Sequence, residues 1–203
     1  QGIGRWFAQL RKSSQSRRVR RGFCFTPEIS PIDISDRWRS GRYMSATTLT
    51  SAIIGLDAYR VDVECDISQG LPCFMVVGLP DTAVQEARER VRSALKHSEL
   101  PFPRTKITIN LAPADLRKGG THFDLAMAIA FLIAHGDLPA FPTKERLFLG
   151  ELALDGHLRP VPGTLSACLL AKELGITELV VAEENAREAM LVPDMRVIAA
   201  KTL

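Results

Sequence analysis

The dipeptide Gly-Lys occurs nowhere in the 203 residues. The phosphate-cradling loop G-x-x-x-x-G-K-[ST] is therefore absent, and this chain alone is not expected to hydrolyse ATP. No G-x-G-x-x-G follows a strand-like run, which argues against a dinucleotide site. Cysteine is scarce: Cys24, Cys65, Cys73 and Cys168 are widely spaced, with no C-x-x-C and no His at ligand spacing. That excludes a structural zinc site and a disulfide framework, and it fits a reducing, cytoplasmic setting. Cys65 and Cys73 fall on or beside apolar stretches and read as small hydrophobes. No cluster of carboxylates and His suits magnesium or another metal. The longest apolar run, near 125–134, is about half the roughly 20 residues a membrane span needs; it reads as a buried helix, and no membrane association is expected.

What is present is ordinary for a globular protein: 46% hydrophobic and 24% charged residues, enough for about one domain with a tail. The net charge of +3 hides an asymmetry. Residues 1–43 hold ten basic and three acidic residues, and the remainder holds 16 basic and 20 acidic. Arg17, Arg18, Arg20 and Arg21 crowd among serines, periodicity is lacking, and Pro27 and Pro31 break any helix. Mostly disorder is expected there. The segment reads as a nucleic-acid arm, as an organelle-targeting peptide, or as sequence foreign to the native product. The third reading is preferred, because the first Met is Met44 and folded-looking sequence starts just after it. The domain is thus expected to span 44–203.

From Thr47 onward strand and helix signals alternate. Tyr59, Val61, Val63, Cys65 and Ile67 alternate with Arg60, Asp62, Glu64 and Asp66, a half-buried strand with an acidic outer face. Leu49–Leu56 reads as its hairpin partner, turning near Asp57-Ala58. Cys73–Val77 is a third strand. Asp81 or Thr82 caps a helix whose apolar stripe is Ala83, Val84, Ala87, Val91, Ala94 and Leu95. Lys106–Leu111 is a fourth strand, Phe123–His135 a central helix apolar nearly all round, and Arg146–Leu154 a further strand leading through Gly156 into His157–Val161. Leu165–Leu174 is helical, and Leu179–Ala182 and Arg196–Ala199 are late strands around a short helix at Ala186–Leu191. The pattern predicts an α/β sandwich with mixed strand directions.

Three further groups bear on function. Arg88, Arg92 and Lys96 line one helix face at i, i+4, i+8 and could track a phosphate backbone; with Glu86 and Glu89 on the same helix, a solvated face is the plainer reading. Arg117 and Lys118 stand beside Gly119-Gly120, where a backbone could approach a phosphate, or where a tight turn simply leaves both cations in water. The acidic balance of the folded part argues against strong DNA binding by it alone. His97 and His135 read as helix-end residues, Glu151 as a hydrogen-bonded structural residue, and Asp124 as a favourable charge at the start of the central helix.

The segments Asn110–Leu125 and Gly150–Gly163, with Val77–Val84 and Glu86–Arg92, resemble the N-terminal domain of the YifB/ComM family of Mg-chelatase-like AAA+ proteins. The likeness runs from about Thr48 to the end. It implies a ribosomal-protein-S5-domain-2-like fold, shared with the Lon protease domain. In the family an AAA+ motor module follows, and ComM members are hexameric helicases that promote branch migration in natural transformation. The resemblance implies a fragment or truncated product, with ATP and Mg²⁺ serving only the AAA+ module, a homo-oligomer (hexamer) at full length, and DNA as a possible partner. Lon-type proteases use a serine nucleophile and a lysine base. By motif register these positions fall on His122 and Ser166, so both are replaced. A nucleophile needs an adjacent base, and a non-catalytic module is the expected outcome. The alternatives are a degenerate Lon-type peptidase using His122 and Ser166, and a stand-alone DNA-binding protein using the basic arm.

Overall fold

The computed structural model describes residues 45–203. The basic segment 1–43, with Arg17–Arg21 and Cys24, lies outside the described residues.

Strands β1 (Ser45–Ile54) and β2 (Asp57–Ser68) form an antiparallel hairpin in register from Ile54↔Asp57 to Ser45↔Asp66. The turn falls on Gly55-Leu56, slightly earlier than expected, with Gly55 at φ 65°, a conformation glycine adopts without a Cβ penalty. β1 also begins before Leu49. Its polar residues Thr48, Thr50 and Ser51 are buried, so its first half lacked the apolar signal that marks a strand. The alternation in β2 places Val61, Val63, Cys65 and Ile67 in the core.

The chain continues through β3 (Cys73–Val77), α1 (Thr82–His97), β4 (Lys106–Ala112), α2 (Asp124–His135), β5 (Arg146–Phe148), β6 (Glu151–Leu152), β7 (Leu158–Arg159), α3 (Thr164–Glu173), β8 (Glu178–Ala182), α4 (Ala186–Ala189) and β9 (Arg196–Ala200). Seven strands make one sheet in the order β3-β4-β2-β1-β5-β8-β9. β2 pairs antiparallel with β1 and β4, and the other pairings are parallel. The fold is α/β with a mixed sheet, as the sequence pattern predicts.

Asp81 caps α1 by accepting from the Val84 amide at 2.8 Å, which satisfies one of the helix's free N-terminal donors. The stripe Val84, Ala87, Val91, Ala94 and Leu95 is buried against α2, which is buried on nearly every side. This first core fills one face of the sheet. A second core lies under α3, built from Leu49, Leu147, Leu179, Val181, Ala167 and Cys168 among others. Strand β8 serves both: Val180 and Ala182 join the first core, Leu179 and Val181 the second. A strand covered on both faces reads as a continuous apolar run.

The expected strand over 146–154 is two strands in different sheets. At Gly150 the chain leaves the main sheet to cross the start of α2: the Gly150 amide donates to the His122 carbonyl at 3.2 Å, and its own carbonyl accepts from the Leu125 amide at 3.1 Å. β6 then pairs only with β7. The expected strand 157–161 shrinks to the two residues of β7.

Candidate functional site

The resemblance motifs meet at the N-terminus of α2. The loop at Lys118 docks on the turn after β3: its amide donates to Leu79 O at 3.1 Å, and its carbonyl accepts from the Asp81 amide at 2.8 Å. The second Asp81 oxygen accepts from the Gly120 amide at 3.3 Å. Gly78 lies so close to β4 that a Cβ there would stand 2.2 Å from Leu111 O, so only glycine fits this crossing. The 150–152 segment closes the other side through Gly150 and through the Leu152 amide, which donates to Asp124 at 3.1 Å.

Within this junction His122 is 5% exposed. Its ring lies 4.2 Å from that of Phe123. Burial pushes its pKa down to about 4, opposed by a hydrogen bond with the Ser51 main chain and by the Asp81 charge. The imidazole is therefore neutral at physiological pH. Its Nε2 is buried without a partner, as is the Thr50 hydroxyl. Ser166, in the first turn of α3, donates its hydroxyl to Leu56 O at 2.6 Å, so α3 is tied to the β1–β2 turn. No proton path joins Ser166 to His122 in this arrangement.

Arg117 is exposed, but Lys118 is turned inward and fully enclosed, contrary to its reading as a solvent-facing cation. Its ammonium donates to Pro113 O. Burial lowers its pKa, partly offset by Asp115. The strand-like pairing at Pro80↔Lys118 fixes the backbone so that this side chain faces inward, and a phosphate outside the fold cannot reach the amine.

Asp124 also departs from its expected surface role. It is fully buried and accepts two hydrogen bonds from Arg90, from Nε at 2.6 Å and Nη2 at 3.0 Å. Burial raises its carboxyl to about 6 against the pull of Arg90 and the Leu152 amide. The Arg90 pKa is raised, chiefly by the hydrogen bond to Asp124. Arg90 Nη2 also donates to Ala83 O at 2.9 Å. The pair staples α1 to α2.

Arg88, Arg92 and Lys96 point outward from the same helix. They line a cleft of about 660 Å³ together with Phe74 of β3 and Phe102 and Arg104 of the α1–β4 connection. The Arg92 guanidinium carbon sits 5.6 Å from the Phe102 ring centre, close enough for a cation–π contact. His97 contacts Ser93 O, His135 contacts Asp137, and Glu151 pairs with Arg159 at 3.4 Å, all structural contacts as expected. Among the described residues no cluster of His, Cys, Asp or Glu could hold a metal, and no helix is long and apolar enough to cross a membrane.

The model of the family "subunit ChlI of Mg-chelatase" matches residues 63–185, which takes in the whole junction and the cleft-lining helix. Competence protein ComM of Haemophilus influenzae is 45% identical over 158 residues, 78% of this chain and 31% of that protein. Protein YifB of Escherichia coli is 48% identical over 143 residues, 70% of this chain and 28% of that protein. The chain belongs to the ChlI family, in its ComM/YifB branch. The family is of the Mg-chelatase-like AAA+ type, and the chain spans about a third of the length of the curated relatives it matches.

In this ChlI-family domain, sequence reasoning missed the Arg90–Asp124 pair and a second ionic group in which Glu178 of β8 is held between Arg146 of β5 and Arg196 of β9. The signals were available. An aspartate heading an otherwise apolar helix needs a partner, because a buried lone carboxylate is costly. Arg90 stands three residues after Ala87, on the border of the apolar stripe of α1.

Proposed function

We propose that this domain is a non-catalytic module of a ComM/YifB-type AAA+ ATPase, acting in oligomer assembly and DNA guidance, while ATP-driven branch migration belongs to the AAA+ module of the full-length, hexameric, cytoplasmic protein. The observation that carries the reading is the state of the two positions where a Lon-type nucleophile and base would stand. One is a buried neutral imidazole with an unpartnered Nε2, and the other a hydroxyl bound to Leu56 O. Nucleophilic catalysis needs the two groups within hydrogen-bond reach of one another. The outward cations of α1 and Arg117 support the DNA-guidance half of the reading.

Two assays on the purified chain test it. Incubation with casein or a fluorogenic peptide, and separately with ATP and Mg²⁺, is expected to give no turnover. Cleavage that disappears in His122→Ala or Ser166→Ala restores the peptidase alternative. A DNA titration at two salt concentrations is expected to show binding that weakens with salt. Absence of both DNA binding and self-association at low salt removes the module reading.

A further inference from the structure

The cleft between α1, β3 and the α1–β4 connection combines two features that a mixed-sign helix surface does not. Four cations line it (Arg88, Arg92, Lys96 and Arg104) against one acid, Glu89, which lies 3.6 Å from Arg88. Residues 44–203 as a whole carry more acids than bases, so the cleft reverses the sign of the domain around it. Phe74 and Phe102, with ring centres 6.0 Å apart, add aromatic lining. Arg92 covers Phe102 on one side of its guanidinium plane. Because the side chain is exposed, the other side of that plane is open to a further flat group. Thr105, also lining the cleft, has a buried hydroxyl without a partner.

Phosphate recognition alone would account for the cations but leave the aromatic lining without a ligand. A duplex offers a protein its phosphates while its base faces are stacked inside. A single strand offers both a phosphate and a free base face. A volume near 660 Å³ lies within the roughly 300–1,000 Å³ of small-ligand clefts, the scale of one nucleotide rather than of a double helix. We propose that this cleft binds a nucleotide unit of single-stranded DNA. Arg88, Lys96 and Arg104 hold the phosphates, and the base lies against Phe74 and the open face of Arg92. The proposal rests on the DNA-guidance reading and gives it a location and a strand preference. A free nucleotide shares this chemistry, and the test separates the two.

Cys73 makes the cleft observable. It lines the cleft and is partly exposed, whereas Cys65 and Cys168 are buried. The full chain is titrated with a fluorescein-labelled oligothymidylate of about ten nucleotides, with duplex of equal length and with thymidine monophosphate as competitors. Alkylation of Cys73 by N-ethylmaleimide is followed by mass spectrometry in parallel. The expected result is single-strand binding that slows Cys73 alkylation several-fold, with duplex and mononucleotide competing poorly. The triple variant Arg88→Ala/Arg92→Ala/Lys96→Ala is expected to lower affinity at least about tenfold and to reduce the slope of log K against log salt by about 2, near 0.7 for each lost phosphate contact. Circular dichroism checks that the variant folds, and Arg104→Ala, outside the helix, is expected to weaken binding in the same direction. Binding without Cys73 protection overturns the cleft assignment while leaving DNA guidance standing. Equal competition by duplex overturns the strand preference. Protection by the mononucleotide but not by the oligomer makes the cleft a free-nucleotide site and overturns the proposal. No binding of any nucleic acid removes both readings.

Discussion

Helix α1 carries Arg88, Arg90 and Arg92 within five residues, and the fold gives them opposite environments. Arg90 turns inward, makes a forked pair with the buried Asp124, and joins α1 to α2. Arg88 and Arg92 turn outward into a cleft, where Arg88 has only a loose contact with Glu89 and Arg92 lies over an aromatic ring. The difference is a matter of helical phase: a step of two residues along a helix is about 200°, nearly the opposite face. Residue type alone could not assign these roles. The same lesson holds for Arg117 and Lys118, adjacent cations of which one is exposed and the other enclosed.

The largest expected effect separates the two faces. Arg90→Met leaves Asp124 buried and unpaired and is expected to cost about 3–5 kcal/mol, read as a fall in the urea midpoint with little change in slope. Adding Asp124→Leu removes the orphaned charge and is expected to recover most of that loss. Arg92→Met gives up one exposed cation–π contact and is expected to cost less than about 1 kcal/mol. An equal loss in both single variants would erase the distinction between the faces.

The pH dependence sharpens the picture inside the junction. Burial raises the Asp124 pKa to about 6 and lowers that of His122 to about 4. The folded state thus holds the Asp124 proton more tightly than the unfolded chain does, and that contribution to stability is lost as pH rises from about 4 to 6. His122 works the other way: its contribution is present above its unfolded pKa and is lost as pH falls from about 6.5 toward 4. The two slopes oppose each other in the wild type. Asp124→Asn is therefore expected to show stability rising with pH over this window, and His122→Leu stability falling with it, by denaturant unfolding at each pH. Parallel profiles for the two variants would contradict the assignment.

The smallest effect concerns the vacated catalytic position on α3. Ser166→Ala removes one half-exposed hydrogen bond to the β1–β2 turn, and about 1 kcal/mol is expected. Thermal unfolding measures this, and no change in any peptide-cleaving background should accompany it.

Much of the fold was legible because most elements announce their period. The alternation of β2 and β4 and the stripe of α1 all gave the buried face residue by residue. What failed did so where tertiary contacts override local pattern. The apolar run over 146–154 looked like one strand, yet the amide and carbonyl of Gly150 are both engaged by the start of α2, so the run divides there. β1 looked shorter than it is because buried threonines and a serine fill its middle. At the candidate site, motif register located His122 and Ser166 but not their surroundings. The inward turn of Lys118 follows from its docking on Leu79 and Asp81, about forty residues earlier, a contact no local pattern encodes. The outward face of α1 was visible as an i, i+4, i+8 row, but the phenylalanines that make it a cleft come from a strand and a loop on either side of the helix in sequence.

The claim that this domain acts by binding, with structural and ligand-facing cations segregated on α1, is tested most directly by a crossed measurement on Arg90→Met and Arg92→Met. The urea midpoint and the oligothymidylate dissociation constant are determined on the same preparations. The account predicts that Arg90→Met lowers the midpoint while the protein that remains folded binds as the wild type does, and that Arg92→Met weakens binding several-fold with its midpoint nearly unchanged. Wild-type affinity in Arg92→Met, or weakened binding by folded Arg90→Met, would contradict it.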